Sequence, residues 1–228
     1  MSSTAAVRAA SPLVGLIAAV LFPSAAAAGD PAAADVAAVV AQVQARYDAT
    51  TDFTARVRQE HTLSSAGKTI TYVGSVAFKK PGRMRWELRN DDEQIIVADG
   101  QTLWFYQPAE KQVLRAPFRA AFRSTTPVSF LTGVGRLADD FEVKLERRDG
   151  ERLRLELRPR QGEEEIGRMW LVVAAGTHDI VGAEVRDELG NVTRISFEEM
   201  QRNVGIDDGR FAFAVPSGVD VVDAPIGY

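Results

Sequence analysis

Hydrophobic residues along this chain follow a helical period once and a strand period many times. From Ala34 to Thr50, the apolar residues Val36, Val39, Val40, Val43 and Tyr47 recur at three- and four-residue steps. That spacing predicts a helix with one apolar stripe, and Asp35 falls in its first turn, where the helix dipole favours a carboxylate. After Asp52 the period drops to two. Phe53, Ala55 and Val57 alternate with Thr54, Arg56 and Arg58, and Ile70, Tyr72, Gly74, Val76 and Phe78 alternate with more polar partners. Met84, Trp86 and Leu88 alternate with Arg83, Arg85, Glu87 and Arg89. Each run reads as a half-buried strand. Asp99-Gly100 separates two apolar segments, and Asp149-Gly150 separates Phe141, Val143 and Leu145 from Leu153, Leu155 and Leu157. An Asp-Gly pair in such a place predicts a two-residue hairpin whose central residues both take positive φ.

Further strands are predicted over 111–117, 167–174, 179–188 and 191–200, with one more strand and a return in 209–223. The stretch from Phe118 to Asp139 breaks the alternation. Thr125-Thr126-Pro127 predicts a helix start and Val128–Gly133 a short apolar helix, which together read as a lid or plug in the middle of the sheet. There is no Pro/Gly/Ser-rich linker and no fixed-period repeat. About ten or eleven strands with two or three helices predict a single domain over 29–228, in which one antiparallel sheet curls and helices cover its concave side.

Residues 1–28 read differently. Arg8 is their only charge, the apolar run Pro12–Phe22 is shorter than the ~20 residues that span a bilayer, and Ala26 and Ala28 satisfy the small-residue cleavage rule. This predicts a cleaved secretory signal, with Gly29 as the first mature residue and no lipid-accepting Cys after the cut. The expected product is exported, unanchored and located outside the cytoplasm.

The chain has 228 residues, a net charge of −4, 46% hydrophobic residues, two histidines and no cysteine. The absence of cysteine excludes disulfides, thiolate metal sites and a cysteine nucleophile. The acidic balance argues against general nucleic-acid binding, which needs a basic face. His61 and His178 lack metal-ligand spacing, so no metal site is expected, and the G-x-S-x-G of a serine hydrolase is absent. Gly133–Ala138 matches a loose dinucleotide-loop pattern without the βαβ context, and reads as a helix end and turn. Glu163-Glu164-Glu165 reads as a solvated hairpin turn. Nothing demands an enzyme.

Two features remain. Lys79, Lys80, Arg83, Arg85 and Arg89, with Arg115, Arg119 and Arg123 further on, form either a solvated strand face or a docking site for an acidic partner or anionic lipid. The load of Phe53, Met84, Trp86, Trp104, Tyr106, Phe118, Phe122, Phe130, Leu131 and Trp170 is either an ordinary core or the lining of an incompletely filled cavity that could hold lipid.

Four stretches then carry a resemblance: Phe78–Trp86 (FKKPGRMRW), Val97–Pro108 (VADGQTLWFYQP), Thr126–Leu131 (TPVSFL) and Phe211–Val219 (FAFAVPSGV). In sequence and spacing they resemble the periplasmic outer-membrane lipoprotein carrier family, LolA. The resemblance implies a mainly β, α+β fold, an unclosed antiparallel β-barrel of about eleven strands with an α-helical lid over a hydrophobic cavity. It implies a monomeric periplasmic chaperone without cofactor. Such a chaperone takes triacylated lipoproteins from an inner-membrane ABC transporter to an outer-membrane acceptor. In that family an Arg before the strand Pro hydrogen-bonds the lid backbone and holds the empty cavity closed. This chain has Lys80 there, without the planar guanidinium fork. The expected acyl-chain lining is Met84, Trp86 and Leu88 with Phe130 and Leu131 from the lid, which requires the even-numbered face of 84–88 to point inward. A carrier of another lipid or glycolipid, and a lipoprotein-sensing interaction module, are readings of the same fold that stay open.

Overall fold

The computed structural model describes residues 31–121, 136–160 and 167–224. The signal segment, the helix expected over 125–133 with Phe130 and Leu131, Gly133 and Gly135 of the glycine-rich stretch, and the glutamates at 163–165 lie outside the described residues. The first element is helix α1 (Pro31–Asp48). It starts three residues earlier than the apolar stripe suggests, with Pro at the first helical position, where its missing N–H costs nothing. Asp35 therefore lies beyond the first turn, and its carboxylate accepts a hydrogen bond from Arg148 instead of capping the dipole.

Six strands follow: β1 (Asp52–Leu63), β2 (Lys68–Lys79), β3 (Arg83–Arg89), β4 (Glu93–Asp99), β5 (Thr102–Gln107) and β6 (Gln112–Pro117). Short helices α2 (Phe118–Ala121) and α3 (Leu137–Asp140) precede β7 (Phe141–Asp149), β8 (Arg152–Pro159), β9 (Arg168–Ala174), β10 (Ile180–Arg186), β11 (Val192–Arg202) and β12 (Asp220–Asp223). All twelve belong to one sheet in the order β12-β6-β5-β4-β3-β2-β1-β11-β10-β9-β8-β7. Every pairing is antiparallel except that of β12 with β6, which is parallel. The expected last strand over 209–223 is thus mostly something else: a 3-10 turn (Asp208–Phe211), irregular chain, and four residues of strand.

The hairpins also differ from expectation. Ala98 pairs with Leu103, so four residues separate the last paired positions, and of the Asp99-Gly100 pair only Gly100 has positive φ. Asp99 serves as an acceptor instead, its Oδ1 taking the backbone N–H of Gln101 and of Thr102, both at 2.8 Å. At the second hairpin Asp149 pairs with Arg152, leaving Gly150-Glu151 as the two-residue loop with positive φ at Gly150.

The sheet must curl, because one apolar cluster unites residues from both of its halves. Val39, Val40 and Val43 of α1, Met84, Trp86 and Leu88 of β3, and Leu153, Leu155 and Leu157 of β8 all belong to it. A flat sheet spaces strands ~4.8 Å apart, so β3 and β8 would stand too far apart to share one core under a helix ~10 Å across. An extra residue on β11, Glu199 with φ of 51°, breaks the register with β1 and switches the inward parity from Phe197 to Met200. The result is an unclosed barrel whose two edges, β7 and β12, pair on one side only among the described residues.

The outer face is polar but covered in one place. Residues 204–213 run back across it as a strap, with Ile206 and Phe211 packed on Ala77, and Phe213 near Trp104 and Tyr106 at ring-centroid distances of 5.9 and 6.0 Å. The basic stretch holds this strap. Lys79 Nζ lies 2.6 Å from Asp208 and donates to the carbonyl of Ile206, Arg83 reaches Asp208 at 3.5 Å, and Arg85 bonds Glu87 at 2.6 Å. The hydrogen bond from Lys79 holds the Asp208 carboxyl below its usual range. Lys79, Arg83 and Arg85 are therefore used internally, neither as a free solvated face nor as a free docking patch. Arg115 pairs with Asp223 of β12 at 2.7 Å, and Arg123 lies outside the described residues.

Candidate functional site

The expected inward parity of β3 holds: Met84, Trp86 and Leu88 are at most 3% exposed and share the cluster that carries α1, while Arg83 and Arg85 face outward. Trp86 stands across from Val76 of β2 and Ile96 of β4. Four rings meet on this inner face. Phe53 and Phe78 are direct cross-strand partners and stack at 4.8 Å, Trp86 meets Phe78 edge-on at 5.7 Å, and Phe197 closes the group at 6.1 Å from Phe53 and 6.2 Å from Trp86. Such pairs add about 0.5–1.5 kcal/mol each beyond their burial. Phe197 escapes the sequence reading, because the bulge at Glu199 hides the alternation that would reveal it.

Not every aromatic belongs here. Trp104 and Tyr106 lie under the strap, and Trp170 lies on the outer face with the guanidinium groups of Arg154 and Arg168 at 4.4 and 4.9 Å from its ring. That side is an alternating cross-strand row, Glu60, Arg194, Glu184, Trp170, Glu156 and Lys144. Burial pushes the Glu184 carboxyl up, but hydrogen bonds from Arg154 and Arg194 outweigh it and hold the group below its ordinary range.

Beside the four rings, the C-terminal end of α1 meets the ends of β1, β2, β10 and β11 around a small pocket that opens to solvent. Its apolar lining includes Val43, Phe53, Phe78, Ile180 and Met200, and its charged lining Arg46, Lys80, Asp179 and Arg202. Asp179 Oδ1 is shared by Arg46 at 2.8 Å and Arg202 at 3.0 Å. Lys80 stands 3.4 Å from the centre of the Tyr47 ring and donates to the Tyr47 carbonyl, which also accepts from the backbone N–H of Thr50 at 3.0 Å where the helix ends. Burial lowers the Lys80 ammonium to about 8, against a partial upward pull from Asp48. Buried Asp52 and exposed Asn203 fasten the same end: Asp52 Oδ1 accepts from Val204 N at 2.8 Å, and Asn203 Nδ2 donates to Ala49 O at 3.0 Å.

Among the described residues no catalytic grouping stands out. His61 lies on β1 against Tyr72, lowered by burial, with Thr193 at 3.0 Å, and His178 sits in a turn beside the pocket. Among the same residues no cluster of His, Asp or Glu could hold a metal ion, and no helix is long and apolar enough to cross a membrane.

Among the described residues, the architecture is an open, curled sheet with an aromatic-rich apolar inner face under one long helix. An uncharacterised conserved protein from Thermus thermophilus shares the fold, with a TM-score of 0.53 at 15% identity over 83% of this chain and 99% of that one. The family model for outer membrane lipoprotein carrier protein LolA matches residues 48–214, from the end of α1 through the strap. Relatives named outer-membrane lipoprotein carrier protein include one from Chromobacterium violaceum, 32% identical over 89% of this chain and 97% of its own length. Another, from Cupriavidus pinatubonensis, is 35% identical over 68% of this chain and 71% of its own. The chain belongs to the LolA family.

Proposed function

We propose that this protein is a periplasmic carrier that binds the acyl chains of lipoproteins and escorts them across water to the outer membrane. The observation that carries this reading is the inner face: Met84, Trp86 and Leu88 project from one strand into an apolar cluster shared with α1, in a chain belonging to a lipoprotein-carrier family. Transfer of an acyl chain through water exposes ~0.8 kcal/mol per CH₂, so a chain of a dozen or more methylenes needs an escort. The inner face supplies the apolar area, and α1 is the element that covers it. Loading then displaces covering groups, and unloading needs a receptor that binds the chains more favourably.

In this reading an inner-membrane ABC transporter loads the carrier and an outer-membrane acceptor empties it. Met84, Trp86 and Leu88, with Phe130 and Leu131, line the acyl-chain site. Lys80 acts as a latch on the end of α1, through the Tyr47 carbonyl and ring. The test is release from spheroplasts: purified protein added to spheroplasts should appear in the medium as a soluble complex with lipoproteins. A photo-crosslinker at Leu88 should capture acylated cargo and one at the outward Arg89 should not. A supernatant free of lipoprotein sinks the reading.

A further inference from the structure

The indole of Trp86 carries a polar atom that the described residues do not use. The residue is 3% exposed, and its Nε1 finds no acceptor among them. Its surroundings explain why. The neighbours across the two adjoining strands are Val76 and Ile96, and its ring contacts are Phe78 and Phe197, none of which offers a side-chain acceptor. The backbone carbonyls nearby are committed to ladders on both sides of β3. A buried donor without a partner is costly, and a Phe at this position would fill the same apolar face without that cost.

Trp170 is the instructive contrast. Its Nε1 is also buried and unpaired, but it stands on the outer face, and its ring is used as a platform for the guanidinium groups of Arg154 and Arg168. Trp86 has no cation on its ring among the described residues; only its shape and its N–H distinguish it from another Phe. Its N–H belongs to the face assigned above to the guest, so a guest that brings an acceptor removes the deficit.

We propose that the Trp86 indole N–H donates a hydrogen bond to an acyl carbonyl oxygen of the bound lipid, so that the site selects acyl esters and amides over hydrocarbon or ether chains of equal length. The inference rests on the carrier reading above. A hydrocarbon tail gains only burial, whereas a carbonyl taken out of water needs a donor to replace its hydration. The depth is suitable: Trp86 lies three residues into β3, ~10 Å along the strand from the end beside Lys80. A carbonyl near the polar head of an acylated molecule reaches that level while its methylenes run on toward Leu88.

The experiment compares two probes of equal chain length, dipalmitoylglycerol and its di-ether analogue dihexadecylglycerol, binding to the full protein. The wild type should favour the ester by about tenfold, the worth of one buried hydrogen bond. Trp86→Phe should lose that preference through weaker ester binding, with ether binding unchanged, and Trp170→Phe should keep it. The carbonyl stretch of a ¹³C-labelled ester should move to lower frequency on binding the wild type and stay unshifted with Trp86→Phe. If that variant folds poorly, benzothienylalanine incorporated at position 86 keeps the ring shape and removes only the N–H. Equal binding of ester and ether by the wild type, or a preference that survives loss of the N–H, overturns the donor role and leaves the carrier reading standing. A wild type that binds neither probe overturns both.

Discussion

A lysine at position 80 places a titratable group where a guanidinium would be permanently charged. Its ammonium is lowered to about 8 by burial, so between pH 8 and its ordinary value near 10.5 the unfolded chain holds a proton that the folded protein has released. Stability from this group therefore rises with pH across that window and is at its lowest, and constant, below pH 8. Urea midpoints at pH 7 and pH 9.5 should show the wild type gaining stability relative to Lys80→Arg as pH rises; a constant difference would mean that Lys80 titrates normally. At this scale the sequence was partly legible. Met84, Trp86 and Leu88 could be placed inward because arginines and a glutamate alternate with them. Trp170 could not, since Met169-Trp170-Leu171-Val172-Val173 is apolar throughout and gives no parity. The charged pocket residues come from α1, β11 and two turns, a juxtaposition that no local pattern encodes.

Among the elements, β2 contains the most demanding single position. Gly74 pairs with Val57 and Leu88, and a Cβ there would stand 1.8 Å from the carbonyl oxygen of Glu87. Glycine in a strand marks such close approach of backbones. Gly74→Ala should cost more than about 3 kcal/mol by forcing β2 and β3 apart. A thermal melt within a degree or two of the wild type would show that the sheet absorbs the methyl. The strands themselves were readable from period two, yet their joints were not. Asp99 is used for its carboxylate, which accepts two backbone N–H groups, and not for tolerance of positive φ. The bulge at Glu199 arises where β11 must stay paired with β1 while the chain turns its inner face, a demand set by curvature of the whole sheet.

Across the whole molecule, the strap at 204–213 makes the outer surface of β2–β5 an interior of its own. Phe211 is 1% exposed there, so Phe211→Ala should lower unfolding free energy by about 3 kcal/mol. Because the strap lies on the opposite face from Trp86, ester and ether lipid affinities of that variant should match the wild type. Loss of lipid affinity in a folded Phe211→Ala protein would show that the two faces are coupled. The strap was hidden in the sequence because Phe211 and Phe213 look like one more alternating strand; only the outward basic residues available to hold Asp208 decide otherwise.

The two unjoined edges, β7 and β12, have a mechanical consequence. A closed cylinder of given strand number and stagger has a set radius, and widening it means breaking a seam of hydrogen bonds. Among the described residues this sheet has no seam. Its margins can swing apart through small changes of twist shared among eleven interfaces, with every ladder kept intact. The enclosed volume is therefore elastic, its upper bound set by stiffness and not by a count of bonds, and under the carrier reading proposed above, chains differing by a few methylenes would meet the same container at slightly different strain.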